Sequence, residues 1–482
     1  MIEERHWRDE CGVVGIAGVE GAAELASLAL HALQHRGQES AGITIADGHR
    51  LLTHKRMGLV ADIFDEATTR GLTGTYAIGH VRYSTSGSSN LLNAQPLQVA
   101  SHRGSMSLAH NGNLVNAPEL RREMELEGSI FATTSDSEVI LHLLARSKAP
   151  SLEEALHEVL PRVKGAYSMV VMTRDHVIAV RDPHGFRPLC LGRYRDRYVV
   201  ASESCAFDII GAEYQRDIEP GEIVVLGDGG LSSRFLPVDA PEKCCIFEHV
   251  YFSRPDSRIF GQSVEAARRR SGMILGREAP ADADLVCAVP DSSNTAALGY
   301  AQATGIPFEL ALIRNHYVGR TFISPAQKVR DMSVRIKFNP VAQVLAGKRI
   351  VVVDDSIVRG TTMRKLVKLI RSAGAVEVHL RIASPPVTNP CFYGIDTPVR
   401  AELIASSHTV EEIATYLRVD SLAYLSRAGL LEAAGDGDRY CDACFTGNYP
   451  VSFGAENNKD VFDRHAAGAD ILVKPLPPGG GD

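Results

Sequence analysis

The spacing of hydrophobic positions changes along the chain. Cys11 to Ala17 is a short apolar run of strand character, Ala22 to Leu33 repeats its apolar residues at helical spacing, and Gly42 to Ile45 reads as strand again. From Tyr76 to about Val225, short β-rich pieces separated by Gly, Asn, Asp and Ser dominate, among them Ala166 to Met172, His176 to Val180, Tyr198 to Ala201 and Glu222 to Leu226. This half predicts stacked sheets with a few helices. Beyond Pro241 strands and helices alternate: Leu285 to Val289, a helix from about Asn294, Phe308 to Ile313, Arg349 to Val353, a helix from about Thr362, and Val376 to Ile382. Repeated βα units predict a parallel sheet with helices on both faces. The change of regime falls between about residues 227 and 245, where Gly227, Gly229 and Gly230 precede Pro237 and Pro241, which divides the chain into domains 11–235 and 236–470. The last stretch, within 471–482, is mostly Pro and Gly with little to bury and reads as a disordered tail.

Composition narrows the class. The chain has 482 residues, 45% apolar and 23% charged, close to ordinary globular usage. Its 51 basic against 58 acidic side chains give a net charge of −7, so no global field draws it to nucleic acid or anionic lipid. No apolar stretch reaches membrane-spanning length, and the charged N-terminus lacks the apolar core of a secretory signal, so a cytoplasmic protein is expected. Nine widely spread cysteines, an odd number, argue for reduced thiols acting as core residues, nucleophiles or ligands.

The sharpest motif is Arg349-Ile-Val-Val-Val-Asp-Asp-Ser-Ile-Val-Arg-Gly-Thr-Thr, an apolar strand ending in two acids before a small-residue turn that opens a helix. Ligands of open α/β sheets sit beyond the carboxyl ends of the strands, and a helix N-terminus offers N–H groups to phosphate. Ser356 to Thr362 is placed to cradle one, and Asp354 with Asp355 to meet sugar hydroxyls or a hard cation such as Mg²⁺. An acid pair after a strand is otherwise a solvated turn. The motif resembles the phosphoribosyl-pyrophosphate signature of type I phosphoribosyltransferases. The resemblance implies that Asp354 and Asp355 contact the ribose and that Ser356, Arg359, Gly360, Thr361 and Thr362 hold the 5′-phosphate. It also matches the turn Val289-Pro-Asp-Ser-Ser-Asn to the pyrophosphate loop, with Ser292 at a position associated with Mg²⁺. Between the two turns, Arg314 to Lys337 carries Arg320, Lys328, Arg330, Arg335 and Lys337. It reads either as an exposed basic loop or as a lid over pyrophosphate, the resemblance favouring a lid, with Arg320 and Lys337 as its contacts.

A separate constellation occupies the first half. Cys11-Gly-Val-Val-Gly, His35-Arg-Gly-Gln-Glu-Ser-Ala-Gly, Gly79-His-Val-Arg-Tyr-Ser-Thr, Ala109-His-Asn-Gly-Asn-Leu and Thr134-Ser-Asp-Ser-Glu stand at strand ends or turns. Together they resemble the class II glutamine amidotransferases, in which a cysteine at the mature N-terminus attacks the glutamine amide. Residues 1–10 are then a propeptide, and Trp7, the one tryptophan, leaves with it. A freed α-amine, which in a simple peptide titrates at about 7.7 to 8.0, can serve as base for its own thiol. The resemblance pairs Arg82 with the glutamine carboxylate and Asp136 with its amino group, and gives the oxyanion hole to Asn111 and Gly112.

Cys441-Asp-Ala-Cys444 alone suits zinc, a redox dithiol or an iron–sulfur cluster. The segments around Cys245 and Cys391 resemble the cluster-binding branch of the glutamine phosphoribosylpyrophosphate amidotransferases, which implies a [4Fe–4S] cluster on Cys245, Cys391, Cys441 and Cys444. Cys190, Cys205 and Cys287 read as buried thiols. This family likeness extends from Cys11 to about Pro450. It implies an N-terminal-nucleophile hydrolase type of stacked-sheet glutaminase domain, α+β, followed by an α/β phosphoribosyltransferase domain. The expected reaction takes glutamine, water and 5-phosphoribosyl 1-pyrophosphate to 5-phosphoribosylamine, glutamate and pyrophosphate, with ammonia channelled between sites. Purine nucleotide inhibitors and a homo-oligomer, a tetramer, follow from the same likeness. A sugar-phosphate isomerase would lack the Asp354-Asp355 motif, while a phosphoribosyl pyrophosphate sensor would leave the Cys11 set without a purpose, and a stand-alone glutaminase the second half.

Overall fold

The computed structural model describes residues 11–83, 90–316, 336–435 and 437–453. The expected propeptide, Arg320 with most of the basic loop, and the C-terminal tail lie outside the described residues. Two compact units emerge, one built from the described residues of 11–244 with 392–396 and 451–453, the other from those of 245–391 and 397–450.

In the first unit the strand Gly12–Ile16 lies between Arg197–Ala201 and Tyr76–Arg82 in a seven-stranded antiparallel sheet. Alternation sends its side chains two ways. Val14 and Ile16 pack with Ala26, Leu30 and Leu33 of the helical segment that begins at Ala22, whereas Val13 meets Ala109, Val170 and Ala179 of a second, six-stranded antiparallel sheet. Truncating Leu30, fully buried there, would cost about 2–5 kcal/mol. The far face of the second sheet, with Leu108, Met169 and Val180, is covered by the helices Ala117–Leu126, Ser137–Arg146 and Leu152–Val159. The layers therefore run helix, sheet, sheet, helix, and central strands such as Tyr76–Arg82 are buried along their whole length. The glycines expected to mark a linker instead close a hairpin: Glu222–Gly227 pairs with Gly230–Phe235, with Gly227 opposite Gly230 at φ 93°.

The second unit holds four parallel strands in the order Leu285–Ala288, Arg349–Asp354, Glu377–Ile382, Ser421–Tyr424. Ile350, Val352, Leu380 and Ile382 pack with Met363, Leu366, Val367 and Ile370 of the helix Thr361–Ser372. The helices Val264–Glu278 and Asn294–Thr304 meet backbone to backbone, since a Cβ on Gly272 would stand 1.8 Å from the Ala296 carbonyl oxygen. The expected strand Phe308 to Ile313 does not form as one piece. Phe308 makes a single parallel bridge to Val286, after which the Ala311 N–H takes the Glu309 carbonyl, and Leu312–Arg314 pairs instead with Phe338–Pro340. Among the described residues no helix is long and apolar enough to cross a membrane.

Candidate active sites

Cys11 stands just before the first paired residue of its strand, Gly12, which lies opposite Val81. Its thiol is buried and donates to the Tyr83 carbonyl oxygen at 3.4 Å. Burial pushes the thiol up to about 11, with the Tyr83 hydrogen bond and the Arg82 charge pulling down and Asp136 and Glu39 pushing up. Arg82 and Asp136 are thus within electrostatic reach of the sulfur. At neutral pH so high a value leaves the group a thiol, and nucleophilic attack from it requires a base.

The strand Gly104–Leu114 brings up the other expected residues. The fully buried His80, opposite Val13, has one ring nitrogen, Nε2, 3.0 Å from the His110 carbonyl oxygen, which ties the two sheets together one residue before Asn111. Burial lowers His80 to about 3, so it is neutral and donates to that carbonyl from Nε2. Asn111 is 1% exposed, yet neither amide atom of its side chain has a hydrogen-bond partner among the described residues. A buried amide left without any partner costs about 1–3 kcal/mol. Gly112 follows at φ 148°, where a Cβ would lie 2.1 Å from the Ala166 carbonyl oxygen. Asp136 accepts from the Leu114 N–H at 2.9 Å, which fixes its carboxylate beside this strand.

The motifs leave three features of this site without a role. Arg36, fully buried, donates from Nε to the Cys11 carbonyl oxygen at 3.0 Å and from Nη1 to Glu203 at 2.5 Å. Ser202 exchanges hydrogen bonds with Val13, through its hydroxyl at 2.9 Å and its N–H at 3.0 Å. Residues 392–396 belong to this unit: Asn113 donates to the Phe392 carbonyl oxygen at 2.9 Å, and a Cβ on Gly394 would come 3.1 Å from the Gly112 Cα. Of these, only the His35-Arg36-Gly37 cluster carries a local signal in the sequence.

In the second unit the acid pair ends the strand Arg349–Asp354 as expected. Ser292 donates to Asp355 at 2.6 Å, Ser293 to Asp354 at 2.9 Å, and Ser356 to the other Asp355 oxygen at 2.6 Å. Ser293, in the same turn as Ser292, is an addition to the expected set. Burial, with Asp355 alongside, holds the Asp354 carboxyl well above its usual range; burial also raises Asp355, against the pull of the serine hydroxyls and Arg268. Gly360, at φ 72°, precedes the helix Thr361–Ser372, whose first-turn N–H groups face away from intrahelical partners. Arg359 is ion-paired with Glu402. Lys337 contributes its carbonyl oxygen to the Asn315 N–H at 2.8 Å. Two carboxylates with a serine hydroxyl form the hard-oxygen set that Mg²⁺ takes when substrate phosphates complete its shell.

Cys245, Cys441 and Cys444 are buried and Cys391 half-buried. Burial raises the thiols of Cys441 and Cys444 well above their usual value, and each of the two also feels Cys245 and Cys391. The Cys444 carbonyl oxygen accepts from the N–H groups of Thr388 and Asn389, both at 3.0 Å, which brings the segment before Cys391 to the Cys-x-x-Cys turn. Among the described residues no three His, Cys, Asp or Glu side chains converge on one metal ion. A cubane needs a wider set, because its four thiolates bind four separate irons.

A family model described as a glutamine amidotransferase domain matches residues 80–208. Amidophosphoribosyltransferase of Bacillus subtilis is 50% identical over 459 residues, which span 94% of this chain and 96% of that one. Amidophosphoribosyltransferase 2 of the Arabidopsis thaliana chloroplast is 54% identical over 468 residues, 96% of this chain and 82% of the relative. Among solved structures, the B. subtilis glutamine phosphoribosylpyrophosphate amidotransferase complexed with ADP and GMP superposes with a TM-score of 0.89 at 49% identity, covering 93% of this chain and 99% of that one. With identity of this order sustained across both units, the chain belongs to the amidophosphoribosyltransferase family.

Proposed function

We propose that this chain converts glutamine, water and 5-phosphoribosyl 1-pyrophosphate into 5-phosphoribosylamine, glutamate and pyrophosphate, the first step of purine synthesis. The observation that carries the reading is the pairing in one chain of two unlike centres: a unit with a buried thiol and a buried amide that has no partner among the described residues, and an acid pair at a strand end before a helix N-terminus.

At the first centre, removal of residues 1–10 leaves the Cys11 α-amine to take the thiol proton as sulfur attacks the glutamine amide. Arg82 and Asp136 hold the substrate's α-carboxylate and α-amino group. The Asn111 side-chain amide and the Gly112 N–H stabilise the oxyanion, the proton passes to the leaving ammonia, and water then hydrolyses the thioester to glutamate. Asn111→Ala is expected to lower glutamine hydrolysis by about 10²–10³-fold with the fold intact, since a single oxyanion donor is lost; rates within threefold of the parent would remove Asn111 from this role. Intact mass checks the processing. Active protein that retains Trp7 fluorescence would end the propeptide idea.

At the second centre, ammonia attacks the ribose C1 and pyrophosphate departs with the bonding electrons. Asp354 and Asp355 bind the ribose hydroxyls, and the 356–362 turn with the helix N-terminus binds the 5′-phosphate. Ser292, Asp354 and Asp355 would hold Mg²⁺, which when bound offsets charge on the departing pyrophosphate. Arg320 and Lys337 belong to a lid over that group. Ammonia passes to this centre without mixing with the bulk, so labelled ammonium should not equilibrate with the transferred nitrogen during glutamine turnover. Inhibition by purine nucleotides and assembly into a tetramer complete the reading; a relative is known complexed with ADP and GMP.

Cys245, Cys391, Cys441 and Cys444 would hold a [4Fe–4S] cluster that ties the C-terminal segment to the second unit rather than carrying electrons. Anaerobically purified protein should contain iron and sulfide in equal amounts, and Cys441→Ser should lose both together with thermal stability. One zinc and no iron would rule the cluster out. The whole reading is tested by pyrophosphate release from phosphoribosyl pyrophosphate and Mg²⁺ with glutamine or ammonium. Release with both is expected, and release with neither would turn the reading toward a sensor.

A further inference from the structure

Glu203 has no place in the chemistry just described, and its surroundings connect it to the nucleophile. It is fully buried, and one oxygen, Oε1, meets Arg36 Nη1 at 2.5 Å and His35 Nε2 at 2.7 Å. Arg36, equally buried, carries the connection to Cys11 through its 3.0 Å hydrogen bond to that residue's carbonyl oxygen. The neighbouring Ser202 is bonded to Val13 in both directions, so the backbone that carries Glu203 is docked on the nucleophile's own strand. We infer that Glu203 is a positioning residue for the Cys11 nucleophile, acting through Arg36.

The reason lies in where Cys11 sits. Strand pairing begins only at Gly12, so residue 11 projects beyond the ladder. On the proposed reading, on which this inference rests, Cys11 becomes the chain terminus and loses the flanking peptide that would otherwise help hold it. What remains, besides the thiol's contact with the Tyr83 carbonyl oxygen, is a clamp on its own carbonyl, and orienting that carbonyl orients the Cα–Cβ bond and the α-amine together. A guanidinium serves two acceptors at once in a fixed planar geometry, which the rotating donors of a lysine do not provide. A buried arginine without a carboxylate beside it would be an uncompensated charge, so Glu203 offsets the charge of Arg36 and fixes its plane. Small misplacements of a reacting group are costly in rate without being costly in binding.

The test measures glutamine-dependent and ammonium-dependent pyrophosphate release, with N-terminal processing verified by intact mass, in the parent, Glu203→Gln, Glu203→Asp, Arg36→Met/Glu203→Gln and Cys11→Ser. Glu203→Gln keeps the shape of the side chain and removes its charge. The expected result is a fall in the glutamine kcat of about a hundredfold, with the glutamine KM and the ammonium rate within twofold and partial recovery in Glu203→Asp. The double variant removes both buried charges and so avoids stranding one; if Glu203 positions Cys11 it stays slow, because the carbonyl clamp is still absent. Recovery of glutamine turnover in the double variant would show that the pair serves stability alone and would overturn the inference, as would parental kcat in Glu203→Gln or an equal loss with ammonium. Glutamine turnover surviving in Cys11→Ser would instead overturn the underlying reading of the thiol. The two failures are therefore distinct.

Discussion

Cys11→Ser is expected to abolish glutamine-dependent pyrophosphate release, by on the order of 10³ to 10⁶-fold, while ammonium-dependent release stays within twofold of the parent. The direction follows from the environment of the thiol. Burial raises it to about 11, so the resting group is protonated, and the proposed base, the α-amine, belongs to the same residue. Serine keeps the amine and the shape but supplies an oxygen whose proton is far harder to remove. Nucleophile and base act as one unit, so the loss should approach that of removing the whole device. The ammonium arm is informative because Cys11 lies in the first compact unit and the acid pair in the second. Parallel loss in both arms would mean that Cys11 is structural, or that the two centres are not separable in the way proposed.

The reciprocal result is expected from Asp354→Ala: pyrophosphate release falls by about 10²–10³-fold with either nitrogen source, and glutamine hydrolysis persists. Asp354 and Asp355 are held together at the strand end by three serine hydroxyls, and burial opposes the ionisation of both. Such an arrangement is unfavourable by itself, and on the proposed reading ribose hydroxyls and a divalent cation would offset it. On that reading, alanine removes one acceptor for the ribose and one carboxylate for the metal at once. Retention of ammonium-dependent release in Asp354→Ala would disprove a substrate role for the pair. Asp354→Asn is the milder companion, since it keeps an acceptor oxygen, and it should show the smaller fall in pyrophosphate release.

The parts legible in the sequence were those with local signatures. Arg349–Asp354 is buried on both sides by neighbouring strands and helices, so it reads as a continuous apolar run, and the helix after Gly360 follows from a turn that only glycine adopts readily. The alternation in Gly12–Ile16 is weaker because both faces are covered, one by a helix and one by a second sheet. Composition misleads where partners decide. Gly227 and Gly230 have the composition of a linker and the geometry of a hairpin, and Phe308 to Ile313 has the composition of one strand but divides between a single bridge to Val286 and a pairing of its last residues with Phe338–Pro340. Glu203, Ser202 and residues 392–396 reach the first site from distant parts of the chain, and no spacing rule connects position 203 to position 11. Motifs identify the reacting groups, whereas the residues that orient them become visible only once the chain is folded.

The orphaned amide of Asn111 has an energetic meaning beyond catalysis. A side chain buried to 1% exposure, with neither polar atom partnered among the described residues, carries a cost of about 1–3 kcal/mol if nothing else meets it. On the proposed reading, the Nδ2 share of that cost is removed when an oxygen carrying negative charge arrives beside it. Compounds that imitate the tetrahedral stage should therefore raise the unfolding temperature of the glutaminase unit more than glutamate does at equal occupancy. An apolar residue of similar size at position 111 should give a sturdier protein that no longer hydrolyses glutamine. Selection for durability and selection for turnover pull in opposite directions at this one residue.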